Sequence, residues 1–280
     1  MKVGLLIPLE ENPREKIAYA VSLGIHCGQI SAWDMRLYRQ DVADAINAAC
    51  KELDFTVTAL WCGWSGPFSF AYPQMYSSLG LVPSAWRAQR TQDLLNGAAF
   101  ARSIGVSDIV THLGYVSDDP YHPDRMGLVQ AISYICRQIA PYGQRFLFET
   151  GEQIPNTLMQ IIAESGVENV GINFDPANFL INGRANPSDA MDRLVDWVGG
   201  FHAKDGVYAT GFNPKGKETQ IGKGQVDFAA LLKKLKDADY PGTLTIEREI
   251  TESPERDRQI LEEKEYLESI LRSLCTASRR

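Results

Sequence analysis

The sequence predicts an α/β protein with one domain, residues 1–280, folded as a (β/α)₈ barrel. Short apolar segments alternate with longer segments of helical periodicity along the whole chain, which is typical of a parallel α/β fold. Eight strand–helix repeats fit within 280 residues, as this barrel requires. The turn after the first strand, Ile7 to Asn12, lacks the glycines of a dinucleotide-binding fingerprint, which disfavours an open doubly wound sheet.

The predicted strands are short segments rich in β-branched and aromatic residues. Each is followed by a segment with helical periodicity, and several of these segments begin at a proline, which a first helical turn tolerates. The strands span residues 3–7, 25–30, 55–61, 108–112, 145–149, 170–175, 200–202 and 243–247. The helices begin near Pro13, Asp41, Pro83, Pro123, Ile154, Pro187, Val226 and Pro254.

The composition excludes several functional classes. Hydrophobic residues make up 44% of the chain, which is enough to bury a full core and excludes intrinsic disorder for most of its length. The net charge of −7 provides no positive field for a phosphate backbone or an anionic membrane, so neither nucleic acid nor a membrane is an expected partner. No apolar run approaches the roughly 20 residues of a membrane helix. Because the first residues lack a signal-peptide pattern, we expect a cytoplasmic protein.

The cysteines predict reduced thiols rather than a disulfide framework or a zinc ribbon. They are odd in number, widely spread and contain no C-x-x-C pair. The five are Cys27, Cys50, Cys62, Cys136 and Cys275.

Two long connections follow strands and therefore lie at the carboxyl-terminal end of the predicted barrel, where barrel active sites are built. Residues 62–82 are rich in glycine, serine, proline and aromatic residues, whereas residues 204–226 are glycine-rich without matching a phosphate-binding loop motif. Aromatic side chains near the first connection would stack on a sugar, with Trp64 as the main candidate and core packing as the alternative. They would also suit a lid or a contact in a homo-oligomer. The group comprises Trp33, Trp61, Trp64, Phe68 and Tyr72.

Four consecutive predicted strands end on an acidic or imidazole side chain, although strand interiors are apolar. The fifth strand closes on Glu149, the sixth on Asp175, the seventh on His202 and the eighth on Glu247. In a barrel these side chains converge on one mouth. Three carboxylates cannot share an enclosed site without a cation, because like charges at short distance push one another toward protonation.

A divalent metal ion resolves this conflict. Three carboxylates and one imidazole form a donor set dominated by hard oxygen atoms, which suits Mn²⁺, Mg²⁺ or Co²⁺ better than a structural Zn²⁺ site. Taken singly, each residue also has a structural explanation. Asp175 would cap the next helix, the two glutamates would pair with Arg145 or Arg248, and His202 would be a core histidine. The occurrence of all four at successive strand ends favours the metal site.

Such a site suits proton transfer next to a carbonyl group. A metal ion bound to the carbonyl and the neighbouring hydroxyl stabilises the enediolate that forms when a weakly acidic C–H bond is deprotonated. A carboxylate on each face then removes and returns the proton, which epimerisation requires, whereas isomerisation needs transfer on one face only.

The segments FETGE, NFDPANF, FHAKDG and TIERE resemble, in order and spacing, the sugar phosphate isomerase/epimerase family of the xylose-isomerase-like TIM barrel superfamily. The resemblance covers nearly the whole chain. It implies a divalent metal ion, most often Mn²⁺, held as in the keto-sugar 3-epimerases by Glu149, Asp175, His202 and Glu247. It also implies that the two glutamates act as acid and base. The epimerases typically have a histidine three residues after the metal-binding aspartate, where this chain has Asn178, a candidate substrate contact.

The resemblance thus implies a metal-dependent sugar isomerase or epimerase that acts on a keto-sugar or a related polyol derivative. A metal-dependent lyase or dehydratase on the same scaffold is the alternative, either similar to inosose dehydratase or cleaving 3-keto-glycosides. The apurinic endonucleases, which resemble the superfamily in fold, need more histidines than the four here and a basic DNA-binding face. A sugar-sensing barrel with a structural metal ion is the non-enzymatic alternative.

Three further residues are candidates for substrate binding. His112 ends the fourth strand and suits a sugar hydroxyl or a proton transfer, with helix capping as the alternative. Glu152 would bind a hydroxyl or stabilise the start of the next helix. Lys204 points the same way as His202 in a strand, so it would hold a phosphate, polarise a carbonyl or pair with Glu149.

Overall fold

The computed structural model describes residues 1–277, which form a closed barrel of eight parallel strands, as predicted. The first strand pairs with both the second and the last, which closes the sheet. Residues 278–280, which the domain prediction included, lie outside the described residues. The barrel strands are β1 (Lys2–Pro8), β2 (Cys27–Ala32), β3 (Thr56–Cys62), β4 (Asp108–His112), β5 (Arg145–Glu149), β6 (Val170–Phe174), β7 (Val198–Ala203) and β10 (Thr243–Ile246).

Helices surround the barrel, and eight of them begin within two residues of the predicted positions. The sequence does not predict two shorter helices, which lie in the connections after β3 and β6. The helices are α1 (Pro13–Ser22), α2 (Gln40–Leu53), α3 (Met75–Ser78), α4 (Ser84–Ser103), α5 (Arg125–Ile139), α6 (Pro155–Ser165), α7 (Pro176–Ile181), α8 (Pro187–Leu194), α9 (Phe228–Asp237) and α10 (Pro254–Ala277). None of the helices within residues 1–277 is long and apolar enough to cross a membrane.

The alternation of side chains along each strand determines which residues reach the mouth of the barrel. In β5, Phe146 and Phe148 belong to the large core that includes the helices, whereas Leu147 belongs to a smaller apolar cluster with residues of β3 and β4. Because side chains point alternately to the two faces of a strand, Glu149 shares the inward face with Leu147. The same alternation in β6, β7 and β10 directs the polar residues at their ends toward a common centre.

The predicted sixth and eighth strands, 170–175 and 243–247, are each one residue too long. In the structure β6 ends at Phe174 because Pro176 begins α7, and Asp175 is the N-cap residue of that helix. β10 ends at Ile246, although the backbone N–H of Glu247 still donates to the carbonyl of Ala203 in β7, over 3.1 Å. Both acidic residues therefore lie directly after their strands.

The long glycine-rich connection, residues 204–226, contains a small antiparallel hairpin, which the sequence does not predict. Its strands are β8 (Asp205–Val207) and β9 (Lys217–Thr219). The buried Asp205 carboxylate accepts four backbone N–H groups over 2.8–3.1 Å and so ties the two ends of the segment together. The donors are Gly206, Gly222, Gly224 and Val226. A side chain at position 224 would collide with this carboxylate, because an added Cβ would lie 2.1 Å from Oδ1.

The five cysteines, all within the described residues, are free thiols. Cys62 and Cys136 are buried, and burial raises the pKa of each thiol to about 12. Both pKa shifts favour the protonated, unreactive form, which agrees with the sequence-based expectation.

Candidate metal centre

Four side chains at the carboxyl-terminal mouth of the barrel form a cluster that could hold a metal ion. Each offers one ligand atom, and these atoms lie within 4.8 Å of one another. The sequence predicts the same four residues: Glu149, Asp175, His202 and Glu247. They come from the ends of consecutive strands because β5, β6, β7 and β10 are neighbours around the barrel.

Asp175 caps a helix and also belongs to the cluster. Its Oδ1 accepts the backbone N–H of Asn178 over 2.9 Å, which caps α7, and the hydroxyl of Thr150 holds its backbone on both sides. Its Oδ2 is buried without a hydrogen-bond partner, 4.0 Å from Nζ of Lys204. Helix capping and metal binding are therefore compatible, because each uses a different oxygen.

Glu149 is oriented by hydrogen bonds to both of its oxygens. Nε1 of Trp61 donates to Oε2, and Nδ2 of Asn178 donates to Oε1 over 3.2 Å. Oε1 also lies 3.2 Å from Nδ1 of His202. Asn178 is adjacent to the cluster because the chain runs close to it at Gly151, where an added Cβ would lie 2.2 Å from the Cβ of Asn178.

A chain of buried amides fixes the orientation of His202. Nε2 of Gln29 donates to Oδ1 of Asn173 over 2.9 Å, which leaves Oε1 of Gln29 as the acceptor for Nε2 of His202, at 3.0 Å. The imidazole proton then lies on Nε2, and the lone pair of Nδ1 points into the cluster. Gly200 makes room for this arrangement, because an added Cβ would lie 2.2 Å from Oδ1 of Asn173.

The lone pair of His202 Nδ1 faces two carboxylates. Nδ1 lies 2.8 Å from Oε2 of Glu247 and 3.2 Å from Oε1 of Glu149. Three acceptor atoms at these distances repel one another unless a proton or a metal cation lies between them. This geometry is the strongest local indication that the centre binds a cation.

Lys204 places a buried ammonium beside Asp175 and Glu247, the two carboxylates that directly follow their strands. It is 3% exposed, and its Nζ lies 3.4 Å from Oε1 of Glu247 and 3.0 Å from Oε2 of Glu249. The sequence offered an ion pair between Lys204 and Glu149 as one possibility. In the structure Lys204 instead lies beside Glu247 and Asp175.

His112 and Glu152 form a second buried pair beside the cluster. Nδ1 of His112 lies 2.8 Å from Oε1 of Glu152, and Nε2 lies 3.7 Å from Oε2 of Glu149. Burial lowers the pKa of His112, but the two glutamates raise it more, to about 9. His112 is therefore cationic at neutral pH and offers one ring edge to the mouth of the barrel.

Two residues of the cluster, Asp175 and His202, have raised pKa values. Burial raises the pKa of Asp175 well above its usual range; Lys204 lowers it, and the two neighbouring glutamates raise it further. Burial lowers the pKa of His202, but Glu149 and Glu247 outweigh this effect and hold the pKa well above its usual range. Both shifts favour bound protons, whereas nearby cationic groups hold the pKa values of Glu149 and Glu247 below their usual range.

The donor set fits a divalent cation. Asp175 Oδ2 and Glu247 Oε2 are buried atoms without a hydrogen-bond partner among the described residues. Carboxylate oxygens and one imidazole nitrogen are ligands for Mn²⁺, Mg²⁺ or Co²⁺. A cation here would replace the protons that the cluster otherwise retains.

The purely structural pairing of the two glutamates with nearby arginines does not occur. Arg145 forms a two-bond pair with Asp108 at 2.8 and 2.7 Å, and Arg248 pairs with Glu218. The arginine partners that could have neutralised Glu149 and Glu247 are therefore engaged elsewhere.

A pocket of about 400 Å³ reaches Glu149, Glu247 and His112. Aromatic side chains form one wall, and Trp33 is 39% exposed there. The wall comprises Trp33, Trp61, Phe68 and Phe70. Trp64, the stacking candidate, is 4% exposed and packs behind this wall against Trp33, Trp61 and Phe68, while Tyr72 contacts Tyr76 outside it. A larger cavity of about 860 Å³ lies at the amino-terminal end of the barrel and contains none of the four cluster residues.

A sequence model described as xylose isomerase-like TIM barrel matches residues 17–270. The chain belongs to this family. A curated relative of this chain, the uncharacterised protein MJ1311 of Methanocaldococcus jannaschii, is 31% identical over 118 residues. That match covers 41% of this chain and only 38% of the relative.

Solved structures share the xylose isomerase-like barrel over nearly the whole chain. A xylose isomerase domain protein from Planctomyces limnophilus is 28% identical, with a TM-score of 0.91 and 98% coverage of both chains. The 3-keto-D-glucoside 4-epimerase from E. coli is 20% identical, with a TM-score of 0.70 and coverage of 96% of this chain and 99% of its own. A xylose isomerase-like protein from Mycobacterium smegmatis in complex with magnesium is 14% identical, with a TM-score of 0.70 and coverage of 93% and 88%. The last two show similarity of fold alone.

Three residues that the sequence does not single out orient a cluster residue or line the pocket of this xylose isomerase-like barrel. Gln29 and Asn173, which orient His202, are polar residues at inward positions of apolar strands, and that pattern could have identified them. Phe70 belongs to the same aromatic-rich segment as Phe68, but nothing in the sequence indicates which of its rings face the pocket.

Proposed function

We propose that the protein is a metal-dependent isomerase or epimerase that acts on a keto-sugar or a related polyol derivative. The observation that carries this proposal is the set of four ligand atoms within 4.8 Å of one another at the end of consecutive barrel strands. The fold it shares with a 3-keto-D-glucoside 4-epimerase and with a magnesium-bound barrel supports the proposal.

Glu149, Asp175, His202 and Glu247 would hold the divalent ion, with Mn²⁺ as the preferred metal and Mg²⁺ and Co²⁺ as substitutes. When bound, the ion would polarise the substrate carbonyl and stabilise the negative charge that develops on the neighbouring oxygen atoms. The aromatic wall lines one side of the pocket with apolar surface and would exclude water there once a substrate is bound, which would strengthen the electrostatic interactions within the pocket.

Glu149 and Glu247 would move the proton between substrate carbon atoms. They lie on β5 and just after β10, with β6 and β7 between those strands, so they approach the pocket from different sides. Burial raises the pKa of Glu149, but the neighbouring His112 and His202 outweigh it and hold the pKa below its usual range in the metal-free protein, which favours the ionised form that can accept a proton. Two carboxylates on opposite faces suit epimerisation, and either one alone suits isomerisation.

Five other residues would bind or orient the substrate. His112 and Lys204 provide buried positive charge for sugar oxygens, and Glu152 and Asn178 provide acceptors and donors for hydroxyl groups. Trp64 would act by supporting the aromatic wall, because its ring packs against Trp33 and Phe68.

A lyase or dehydratase that uses the same residues is the second candidate, and Lys204 is the observation that favours it. Its buried ammonium, 3.4 Å from Glu247, could donate a proton to a leaving oxygen, as dehydration of an inosose or cleavage of a 3-keto-glycoside requires. Lys204→Met would then abolish elimination and spare proton exchange with solvent. In an epimerase, the same variant would reduce epimerisation and proton exchange with solvent together.

The test combines metal analysis with solvent exchange. We expect purified protein to bind about one Mn²⁺ per chain and to incorporate deuterium from D₂O at one carbon of a keto-sugar, with product mass separating epimerisation from elimination. Glu247→Gln should abolish incorporation, whereas Glu265→Gln, a change at an exposed residue paired with Arg272, should not. Protein that neither binds Mn²⁺ nor exchanges a proton would refute the proposal.

A further inference from the structure

Two arginines line the pocket beside the four-residue cluster, and they differ in how their donors are used. Arg248 donates to Glu218 and, over 3.0 and 2.9 Å, to Oε1 of Gln259. Within residues 1–277, the guanidinium of Arg256 makes one hydrogen bond, from Nε to the backbone carbonyl of Arg248 over 3.3 Å. The guanidinium of Arg256 is therefore available for a ligand, whereas that of Arg248 is engaged by the protein.

Arg256 is buried in spite of its free donors. The residue is 8% exposed, and its Nη1 has no hydrogen-bond partner among residues 1–277. A buried guanidinium without acceptors loses hydration that nothing replaces, which is costly unless an anion binds there. The position is also fixed, because Ser253 Oγ accepts the backbone N–H of Arg256 over 3.2 Å at the start of α10.

The nearest carboxylate does not neutralise Arg256 efficiently. Glu252 lies 3.7 Å from Nη1, beyond hydrogen-bond distance, and is 55% exposed. Its two oxygens are bound instead by Nζ of Lys16, at 2.9 and 3.0 Å. The pocket therefore has a buried cation whose neighbouring carboxylate is held by another partner.

We propose that Arg256 binds an anionic substituent of the substrate, a phosphate or a carboxylate, while the keto group of the same molecule reaches the metal centre. The planar guanidinium suits either group, because both offer two oxygens to a pair of N–H donors. Both Arg256 and the two cluster glutamates line one pocket of about 400 Å³, a size that accommodates a sugar derivative. This inference rests on the proposed function, since it assigns the substrate class of the same site.

The test compares three ketoses that differ only at one carbon: D-fructose, D-fructose 6-phosphate and D-fructuronate. Their affinities for the Mn²⁺-loaded full chain are measured by calorimetry. At least one of the anionic sugars should bind about tenfold or more tightly than fructose. Preference for the phosphate ester indicates a phosphorylated substrate, and preference for the fructuronate indicates a sugar acid; both outcomes support the inference.

Arg256→Gln should remove the preference and leave the affinity for fructose unchanged, while Arg256→Lys should retain part of it. Arg258→Gln is the matched control, because Arg258 is exposed on the same helix and pairs with Glu255 and Glu262. Equal affinities for the three sugars, no binding of either anionic sugar, or a preference that survives in Arg256→Gln would overturn the inference. Mn²⁺ binding and solvent exchange are measured separately, so failure of the proposed function is recognised independently.

Discussion

The orientation of His202 by Gln29 can be tested by replacing Gln29 with Met. The change removes the acceptor for Nε2–H of His202, which lies 3.0 Å away, and the donor to Asn173. Without that acceptor, the imidazole no longer favours the tautomer that presents Nδ1 to the cluster. Loss of such an outer contact typically weakens metal binding 10–100-fold, or about 1.4–2.7 kcal/mol.

The assay is calorimetric titration of the metal-free protein with Mn²⁺, together with thermal unfolding. We expect Gln29→Met to weaken Mn²⁺ binding about 10–100-fold. It should also lower the free energy of unfolding by about 1–3 kcal/mol, because buried groups lose hydrogen bonds. Gln29→Glu, which keeps an acceptor for the imidazole, should retain most of the affinity. The matched control is Gln40→Met at the exposed start of α2. If Gln29→Met binds Mn²⁺ as tightly as the wild type does, the orienting role is wrong.

Three further changes probe the support of the site. Gly200→Ala places a Cβ 2.2 Å from Oδ1 of Asn173, so we expect weaker Mn²⁺ binding and a loss of about 1–3 kcal/mol in unfolding experiments. Asp205→Asn leaves two of four backbone N–H groups without an acceptor and should make residues 206–226 exchange amide hydrogens faster, at a cost of about 2 kcal/mol or more. Burial raises the pKa of Glu263 from 4.5 to about 7, so the folded state binds this proton more tightly than the unfolded state does. The free energy of unfolding should therefore decrease by up to about 3 kcal/mol as the pH rises from 4.5 to 7. Glu263→Gln should flatten that dependence in denaturation experiments at a series of pH values.

The barrel and its four-residue cluster were predictable because both follow from local patterns. Apolar segments of strand length mark the barrel, and a charged residue at the end of an apolar strand is conspicuous even in one sequence. Because side chains alternate between the two faces of a strand, the position of Glu149 also fixes its direction: it shares the inward face with Leu147. The eight helix starts were accurate because prolines and capping residues act within one turn.

The rest could not be predicted because it depends on contacts between distant parts of the chain. Gln29 and Asn173 are 144 residues apart and meet only when the barrel closes. The burial of Trp64 behind Trp33 depends on how residues 62–82 fold back, which no periodicity encodes. The hairpin within 204–226 forms around the carboxylate of Asp205, and in sequence that residue resembles any other loop aspartate.

The orientation of the carboxylates in the cluster follows from ordinary features of a strand–helix junction. Asp175 uses one oxygen to cap α7 and leaves the other without a hydrogen bond, and Glu247 has Oε1 beside Lys204 and Oε2 without one. Each carboxylate is thereby held on one side by the protein and left open on the other, toward Nδ1 of His202. Because the protein's own contacts hold these side chains, binding a cation there would require little further ordering. The same contacts that stabilise the turn after each strand therefore also prepare the site.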